Sequence, residues 1–502
     1  MREGERPIKA QTYFLFLAVF ASGAAVMMVE FLGTRILSPY YGTTLYVWSS
    51  LIAVTLGFLA LGYFWGGRIA DRHPEMSRLY LLIFLAGISV VIVSRAANWV
   101  LLATEPLGVR WGPLVAALVL FSVPTLALGM VTPLAVKLRT EALNVLGVTT
   151  GRLYALSTCG SLIGTIVTGF YLIPTFSISA IMGATAIGLI LISGIWFILD
   201  REGRKKNIKF TVLLLAFLLP PFRPSLPPGE KLIAQAQSFY GPVKVVDYTK
   251  DGANQRFLFV NGATHTDIDI TTGQTDFSYL QLMDQAVAYR PQATSALSIG
   301  LGGGVLDGIL RSQGLAVQNL EIDPAVVDLA KKYFGFDGQV TIADGRAYLR
   351  HTDQKYGLIF TDAFTGFSIV PYLVTQEAFH EVKNALEPGG IFVMNTLGFE
   401  SHLQGNDALT QAVYQTLKQV FQNVAVKSTG YGFNNIIFFA SDGPLVLNKW
   451  YVTLTVTPDR QTPVLTDDIN PAERLAEPNI EAWREATIGS FGSPLMFTNS
   501  AT

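Results

Sequence analysis

The chain has 502 residues, of which 50% are apolar and 15% charged, with a net charge of −1 and a single cysteine, Cys159. This length exceeds one ordinary domain. The near-zero charge gives no basic surface for nucleic acid, and one cysteine excludes an intramolecular disulfide and a cysteine-rich metal site.

The apolar residues concentrate before residue 223 in long blocks, and the remainder has the composition of a globular α/β protein. The blocks Thr12–Leu32, Leu45–Trp65, Leu79–Val93, Pro113–Val136, Leu153–Pro174 and Ser177–Leu199 approach the ~20 residues needed to cross a bilayer. A seventh, Phe210–Phe222, would reach only about 20 Å as a helix and is expected to lie in the interface. The first block follows Arg2, Arg6 and Lys9 but ends in no small-residue cleavage site, so it reads as a retained helix and not a signal peptide. Basic residues cluster in alternate connections, at Arg68, Arg72 and Arg78, at Lys137, Arg139 and Arg152, and at Arg201 to Lys209. The positive-inside rule puts these connections in the cytoplasm. The expectation is therefore six spans plus a short seventh segment, a multi-pass protein of the inner (plasma) membrane, and a cytoplasmic soluble part.

Within the blocks, Glu30 is either functional or a packing ion pair with Arg35 or Arg68. Gly62–Arg72 resembles the short cytoplasmic loop of major facilitator transporters. Its small residues let helices approach, and Asp71 and Arg72 can pair. Pro124 and Pro133 predict a kink, and the prolines from Pro220 to Pro228 a stiff linker.

Lys231–Val260 alternates as short strands, with polar turns at Asp251-Gly252 and Asn261-Gly262. The apolar run Ala296–Ile299 leads into Gly300-Leu301-Gly302-Gly303-Gly304. A second strand ends at Leu320-Glu321-Ile322-Asp323, with Glu321 seventeen residues past Gly304. In the nucleotide-binding half of a doubly wound sheet, such glycines let the backbone approach the ligand, and an acid about 20 residues on bonds a ribose. Ala343-Asp344-Gly345 sets an acid in a turn, and the apolar strand Leu358–Thr361 delivers Asp362 to the carboxyl edge of the sheet. The glycine turn alone fits NAD or an inactive fold equally. The ordered set of turn, strand-end Glu, turn Asp and strand-end Asp is a stronger sign of a nucleotide site, and it resembles that of domains that bind S-adenosylmethionine (SAM). Val374–Leu386 predicts an amphipathic helix, followed by Pro388-Gly389-Gly390 and a strand at Ile391–Asn395.

This set resembles the SAM-type Rossmann domain and, within it, the spermidine synthase (polyamine aminopropyltransferase) family, including its membrane-fused members. The fold implied is an α-helical transmembrane bundle, residues 1–225, fused to an α/β part. That part comprises a small β-rich domain at 226–290, a Rossmann-like domain at 291–450 and a C-terminal extension at 451–502. The resemblance further implies that Gly300, Gly302, Gly303, Gly304, Glu321, Asp323, Asp344, Gly345 and His265 bind decarboxylated SAM or SAM as co-substrate, without metal. It makes Asp362 the base for an attacking amine, and sets Tyr279, Gln281, Asp276, Thr365, Asp467 and Asp468 around that small-molecule amine.

The chain departs from the family pattern at several of these places. Val305 stands where the family pairs the aminopropyl ammonium with an aspartate, although Asp307 lies two residues on. Leu280 and Gln281 replace a histidine and an acid, Thr365 replaces a second aspartate, and His265 replaces a glutamine. Local roles compete as well: Asp276 and Asp362 can cap helices, and Asp467 and Asp468 can belong to a turn. Three activities stay open: aminopropyl transfer, SAM-dependent methyl transfer or SAM cleavage, and a transporter or sensor with a regulatory nucleoside domain. A homodimer is also open.

Overall fold

A computed structural model describes residues 5–42, 44–140, 146–199, 229–250, 253–401, 405–445 and 451–492. The chain divides into two compact units, Met1–Tyr41 with Leu45–Pro224, and Ser225–Thr502. The short segment Phe210–Phe222 and the proline linker before Gly229 lie outside the described residues, as does the Asp251-Gly252 turn.

The first unit is helical: α1 (Glu5–Tyr41), α2 (Leu45–Arg72), α3 (Met76–Thr104), α4 (Gly108–Gly129), α5 (Val131–Arg139), α6 (Leu146–Val167) and α7 (Ile178–Leu199). Among the described residues, five continuous runs are long and apolar enough to cross a membrane. The third, Met76–Arg139, is 64 residues long, about 96 Å at 1.5 Å per residue, roughly three times a hydrocarbon core. It is broken by a tight turn at Glu105–Leu107, and α3 and α4 pack along each other. The five runs thus hold the six apolar blocks of the sequence, two of them joined.

Glycine sets the helix approaches. A Cβ at Gly160 would stand 2.1 Å from the Phe20 carbonyl oxygen, and Ser161 donates to the Gly23 carbonyl at 3.0 Å, so α1 and α6 are in backbone contact. Gly62 and Gly66 pack against Leu126–Met130 in the same way. Asp71 pairs with Lys137, in the last turn of α5, at 3.0 Å. Arg68 lies over the Phe64 ring at 3.9 Å.

The second unit opens with a four-stranded antiparallel meander, β1 (Glu230–Ser238), β2 (Gly241–Lys250), β3 (Ala253–Val260) and β4 (Ala263–Asp269). Asn261 and Gly262 both have positive φ, 51° and 84°, which a two-residue primed turn requires. Two short helices follow, α8 (Ser278–Met283) and α9 (Gln285–Tyr289).

The large sheet contains β5 (Ser295–Ile299), β6 (Ala316–Glu321), β7 (Val340–Ile342) and β8 (Tyr356–Thr361), then the hairpin β9 (Phe364–Thr365) and β10 (Ser368–Ile369) outside it, then β11 (Leu386–Ser401), β12 (Gly405–Asn406), β13 (Asn423–Ser428), β14 (Gly432–Ser441) and β15 (Val452–Leu454). Its order is β7-β6-β5-β8-β11-β14-β13-β15, parallel from β7 to β11 and antiparallel beyond. Helices α10 (Val305–Ser312), α11 (Pro324–Tyr333), α12 (Gly345–His351), α13 (Gln376–Ala385), α14 (Ala408–Val420) and α15 (Glu477–Phe491) accompany the strands.

The chain leaves β5 for β6 on one side and returns to β8 on the other. The carboxyl ends of β5 and β8 are therefore the switch point at which open α/β sheets bind ligands. Two sequence boundaries are blurred by packing. Tyr279, Leu282 and Met283 of α8 join the core that holds Leu358 and Phe360 of the large sheet. The C-terminal stretch supplies β15 to that sheet, and Phe491 joins Phe257 and Phe259 under the meander.

Candidate active site

A cavity of about 780 Å³ opens at this switch point, walled by the ends of β5, β6 and β8, by β4, by α8 and by α15. The glycine turn shapes its floor. Gly300 has φ +95°, and a Cβ there would stand 2.1 Å from the Asp362 carbonyl oxygen. The two strand ends can meet only because that position has no side chain. Gly302 lines the cavity, but Gly303 and Gly304 do not. A Cβ on Gly303 would strike Thr266 and Phe334, one on Gly304 would strike Phe336, and the Gly303 amide donates to Thr266 Oγ1 at 2.7 Å. Those two glycines serve the packing of the turn.

Each acid at the nucleoside end has local duties too. Glu321 accepts from the Leu301 amide at 3.1 Å with one oxygen and from the Asp323 amide at 2.9 Å with the other. Burial raises its pKa, and these amide bonds lower it. The Ile322 amide makes a further, weaker contribution; a carboxylate has about four acceptor positions, so Glu321 keeps at least one for a ligand. Asp323 is almost fully buried. It caps α11 through the Ala325 amide at 2.9 Å and accepts from the Ser238 hydroxyl at 2.6 Å, which makes it chiefly a structural acid. Asp344 caps α12 through Ala347 N at 2.7 Å and accepts from Tyr372 OH at 2.8 Å. Gly345 lines the cavity beside it.

Asp362 stands at the centre. The Tyr279 hydroxyl donates to one oxygen at 3.0 Å, and the Asn395 amide donates to the other at 2.8 Å. Asn435 in turn donates to Asn395 at 3.1 Å, which fixes which way that amide points. Burial pushes the Asp362 carboxyl up, while the bonds from Asn395 and Tyr279 pull it down. Burial, the negative charge of Asp362 and the bond to it hold the Tyr279 hydroxyl protonated, its pKa well above the ordinary tyrosine value. No helix begins at Asp362, so it is not a cap.

His265 also lines the cavity. Burial lowers its pKa to about 4, so the ring is neutral at physiological pH, against a weaker opposing effect of a bond to the Gly366 backbone. Its Nε2 is buried without a hydrogen-bond partner. The Gly366 bond puts the ring proton on Nδ1, so Nε2 presents a lone pair.

Other expected residues are elsewhere. Gln281 turns out toward Tyr451, whose hydroxyl is 3.4 Å from its oxygen. Asp276 does not cap α8, whose N-cap position is Phe277 and carries no side-chain cap; the Asp276 carboxylate accepts from the Gln255 amide at the cavity wall. Asp467 is clamped by Arg346 through two bonds of 2.7 and 2.6 Å, and Asp468 is exposed; neither lines the cavity. Asp307 points away as well: it is buried against Asn319 and Arg311, and Val305 faces the cavity in its stead. Thr365, in the β9–β10 hairpin, does line it.

Sequence reading missed Asp267, Asn395 and Trp483. Asp267 is one step of strand alternation from His265 on β4, and it accepts from the Thr275 hydroxyl and, at 3.2 Å, from the Asp276 amide. Asn395 follows an apolar run just as Asp362 does, and the parallel register that pairs Met394 with Thr361 puts it beside Asp362. No local signal marks Trp483.

The charge pattern is one-sided. The lining contains six carboxylates, those of Asp267, Asp276, Glu321, Asp323, Asp344 and Asp362, and not one Lys or Arg. At an effective dielectric of about 20, an ionised carboxylate attracts a cation 4 Å away by about 4 kcal/mol, so this lining favours positively charged ligands over anions.

Comparison with known proteins agrees with that geometry. Residues 279–432 match the family profile of the spermine/spermidine synthase domain. A probable polyamine aminopropyl transferase of Bifidobacterium longum is 33% identical over 142 residues, 28% of this chain and 31% of that protein, so the match spans under a third of this relative's length. A polyamine aminopropyltransferase of Vibrio vulnificus is 27% identical over 220 residues, 41% of this chain and 73% of its own. Among solved structures, a probable spermidine synthase from Corynebacterium glutamicum aligns with a TM-score of 0.38 at 18% identity, covering 43% of this chain and 82% of that one. The chain thus carries, from Tyr279 to Gly432, a stretch that matches the spermine/spermidine synthase domain.

Proposed function

We propose that the protein is a membrane-anchored aminopropyltransferase. It moves the aminopropyl group of decarboxylated SAM to a small-molecule amine and releases methylthioadenosine. The observation that carries this reading is the cavity lining of six carboxylates without a basic side chain. Both substrates are cations, a sulfonium and an ammonium. A methyl acceptor need not be charged, so the same lining favours aminopropyl transfer over methyl transfer.

The residues divide the work. Glu321 holds the ribose hydroxyls with its free acceptor positions, Asp344 and the His265 Nε2 accept further donors of the nucleoside, and Gly300 and Gly302 let it lie against the backbone. An alkyl amine arrives protonated, with a pKa of about 10 as for lysine. Asp362 draws the ammonium in and accepts its proton. The freed nitrogen attacks the aminopropyl carbon beside sulfur: the N–C bond forms, the C–S bond breaks, and its electron pair returns to sulfur as methylthioadenosine leaves. Tyr279 and Asn395 keep the Asp362 carboxylate aimed during proton transfer.

The apolar helical unit is read as the anchor, in the inner membrane, with the α/β unit in the cytoplasm where such nucleosides are made. The test is the full chain in detergent with decarboxylated SAM and an amine, with products followed by mass spectrometry. Methylthioadenosine appearing in step with an aminopropylated amine supports the proposal. A methylated product, or a nucleoside product without an acceptor product, overturns it. Protease protection of the α/β unit in inside-out membrane vesicles would refute the cytoplasmic placement.

A further inference from the structure

α15 lies beyond Gly432, where the matched domain ends, yet it walls the cavity. Trp483, Ala486, Thr487, Ser490 and Phe491 line it, a spacing that places them on one helical face. The helix is held at its start by Asn479, whose amide donates to the Leu397 carbonyl at 2.9 Å and to Asp407 at 3.2 Å.

Its two ends mark two places in the cavity. The Trp483 ring packs edge-on against Phe364 at 5.4 Å, and Phe364 is two residues past Asp362. The Phe491 ring packs against Phe257 at 4.8 Å. Phe257 shares a strand face with Gln255, whose amide holds Asp276. The face from Trp483 to Phe491 therefore runs from the neighbourhood of the reacting carboxylate to that of a second, outlying carboxylate. Eight residues of helix make this about 12 Å. Along it lie aromatic rings, which suit methylene chains and cations alike, with a carboxylate near each end.

We propose that α15 is the acceptor gauge of this site: the acceptor's chain lies along the Trp483–Phe491 face, with its attacking nitrogen at Asp362 and a second ammonium at Asp276. This rests on the aminopropyl-transfer reading and adds to it that acceptors with a distant second charge are preferred to short diamines and to monoamines. A short diamine meets Asp362 but leaves Asp276 unanswered. A monoamine of full length fills the face but brings no charge to its far end.

The experiment is kcat/KM of the full chain in detergent, at saturating decarboxylated SAM, for diaminobutane, diaminooctane and octylamine. Diaminooctane should exceed both others at least tenfold. Asp276→Asn should raise the diaminooctane KM and bring its advantage over octylamine close to one. Trp483→Ala should raise the KM for both long amines about tenfold with little change in kcat, and Trp483→Phe should restore most of it, which a merely destabilised helix would not allow. Diaminobutane outrunning diaminooctane, or octylamine matching diaminooctane in the parent, overturns the gauge while leaving aminopropyl transfer standing. Release of methylthioadenosine with none of the amines brings down both readings together.

Discussion

Asp362→Asn separates chemistry from binding. The substitution keeps the shape of the side chain and an oxygen that can accept from Asn395, now 2.8 Å from the carboxylate, while its new amide can donate to the Tyr279 oxygen at the other contact, now 3.0 Å. What disappears is the negative charge and the proton acceptor. A positioned general base contributes about 10²–10⁴ in rate, so kcat should fall on the order of a thousandfold. In the proposed division of roles Glu321 and the glycine turn hold the nucleoside, so the affinity for methylthioadenosine should change less than about threefold. Glu321→Ala gives the converse. It removes a carboxylate that can bond two ribose hydroxyls at about 1.5–3 kcal/mol each, and affinity should fall by roughly 100-fold or more. The assay pairs calorimetry of methylthioadenosine binding with product formation, both variants side by side. Stability gives a third reading. Burial raises the Asp362 pKa, so the folded state holds this proton more tightly than the unfolded chain. Its charge therefore costs stability once pH has risen through the folded pKa, and that cost persists at neutral pH. The Asp362→Asn protein should melt no lower than the parent at pH 7. Equal loss of nucleoside affinity in the two variants, or undiminished turnover in Asp362→Asn, would refute the division of roles.

Lys244 is 4% exposed and burial lowers its pKa to about 7; between there and the unfolded value near 10.4 the unfolded chain binds the extra proton, so stability should rise with pH across that window. Lys244→Met should abolish this slope and raise the stability at pH 7, by an upper limit on the order of 4 kcal/mol; an unchanged slope in melts at three pH values would contradict it. Asp467→Asn removes one side of the Arg346 clamp and should cost about 1–3 kcal/mol of stability with no change in amine KM, and a raised KM would return Asp467 to the acceptor site. In the helical unit, Gly160→Ala drives a methyl group into the Phe20 carbonyl and should lower thermal stability in detergent by about 1–3 kcal/mol. Gly183→Ala, where nothing lies within 4 Å of the added carbon, should be neutral or stabilising, and equal effects at the two glycines would refute the close α1–α6 contact.

The sequence by itself determined the apolar blocks, the order of strands and helices, the glycine turn and the acids at the strand ends. Each of these rests on local physics: hydrophobic period, run length, and the φ values that only glycine adopts easily, as at Gly300. The same reading could not say what those acids touch. Asp323 meets Ser238 from 85 residues away, Asp467 meets Arg346 across 121, and Asp307 turns inward to Asn319 instead of outward to a ligand. Nor could it bring Asn395 to Asp362, which needs the parallel register of β8 and β11, or fold α15 back beside β4 so that Trp483 faces His265. Such contacts depend on how whole elements pack, and a buried polar group takes whichever partner the packing supplies. Residue type and spacing carry no record of that choice, so the tertiary structure alone separated the acids that line the cavity, such as Asp362, from those that lie away from it and only hold the fold together, such as Asp467.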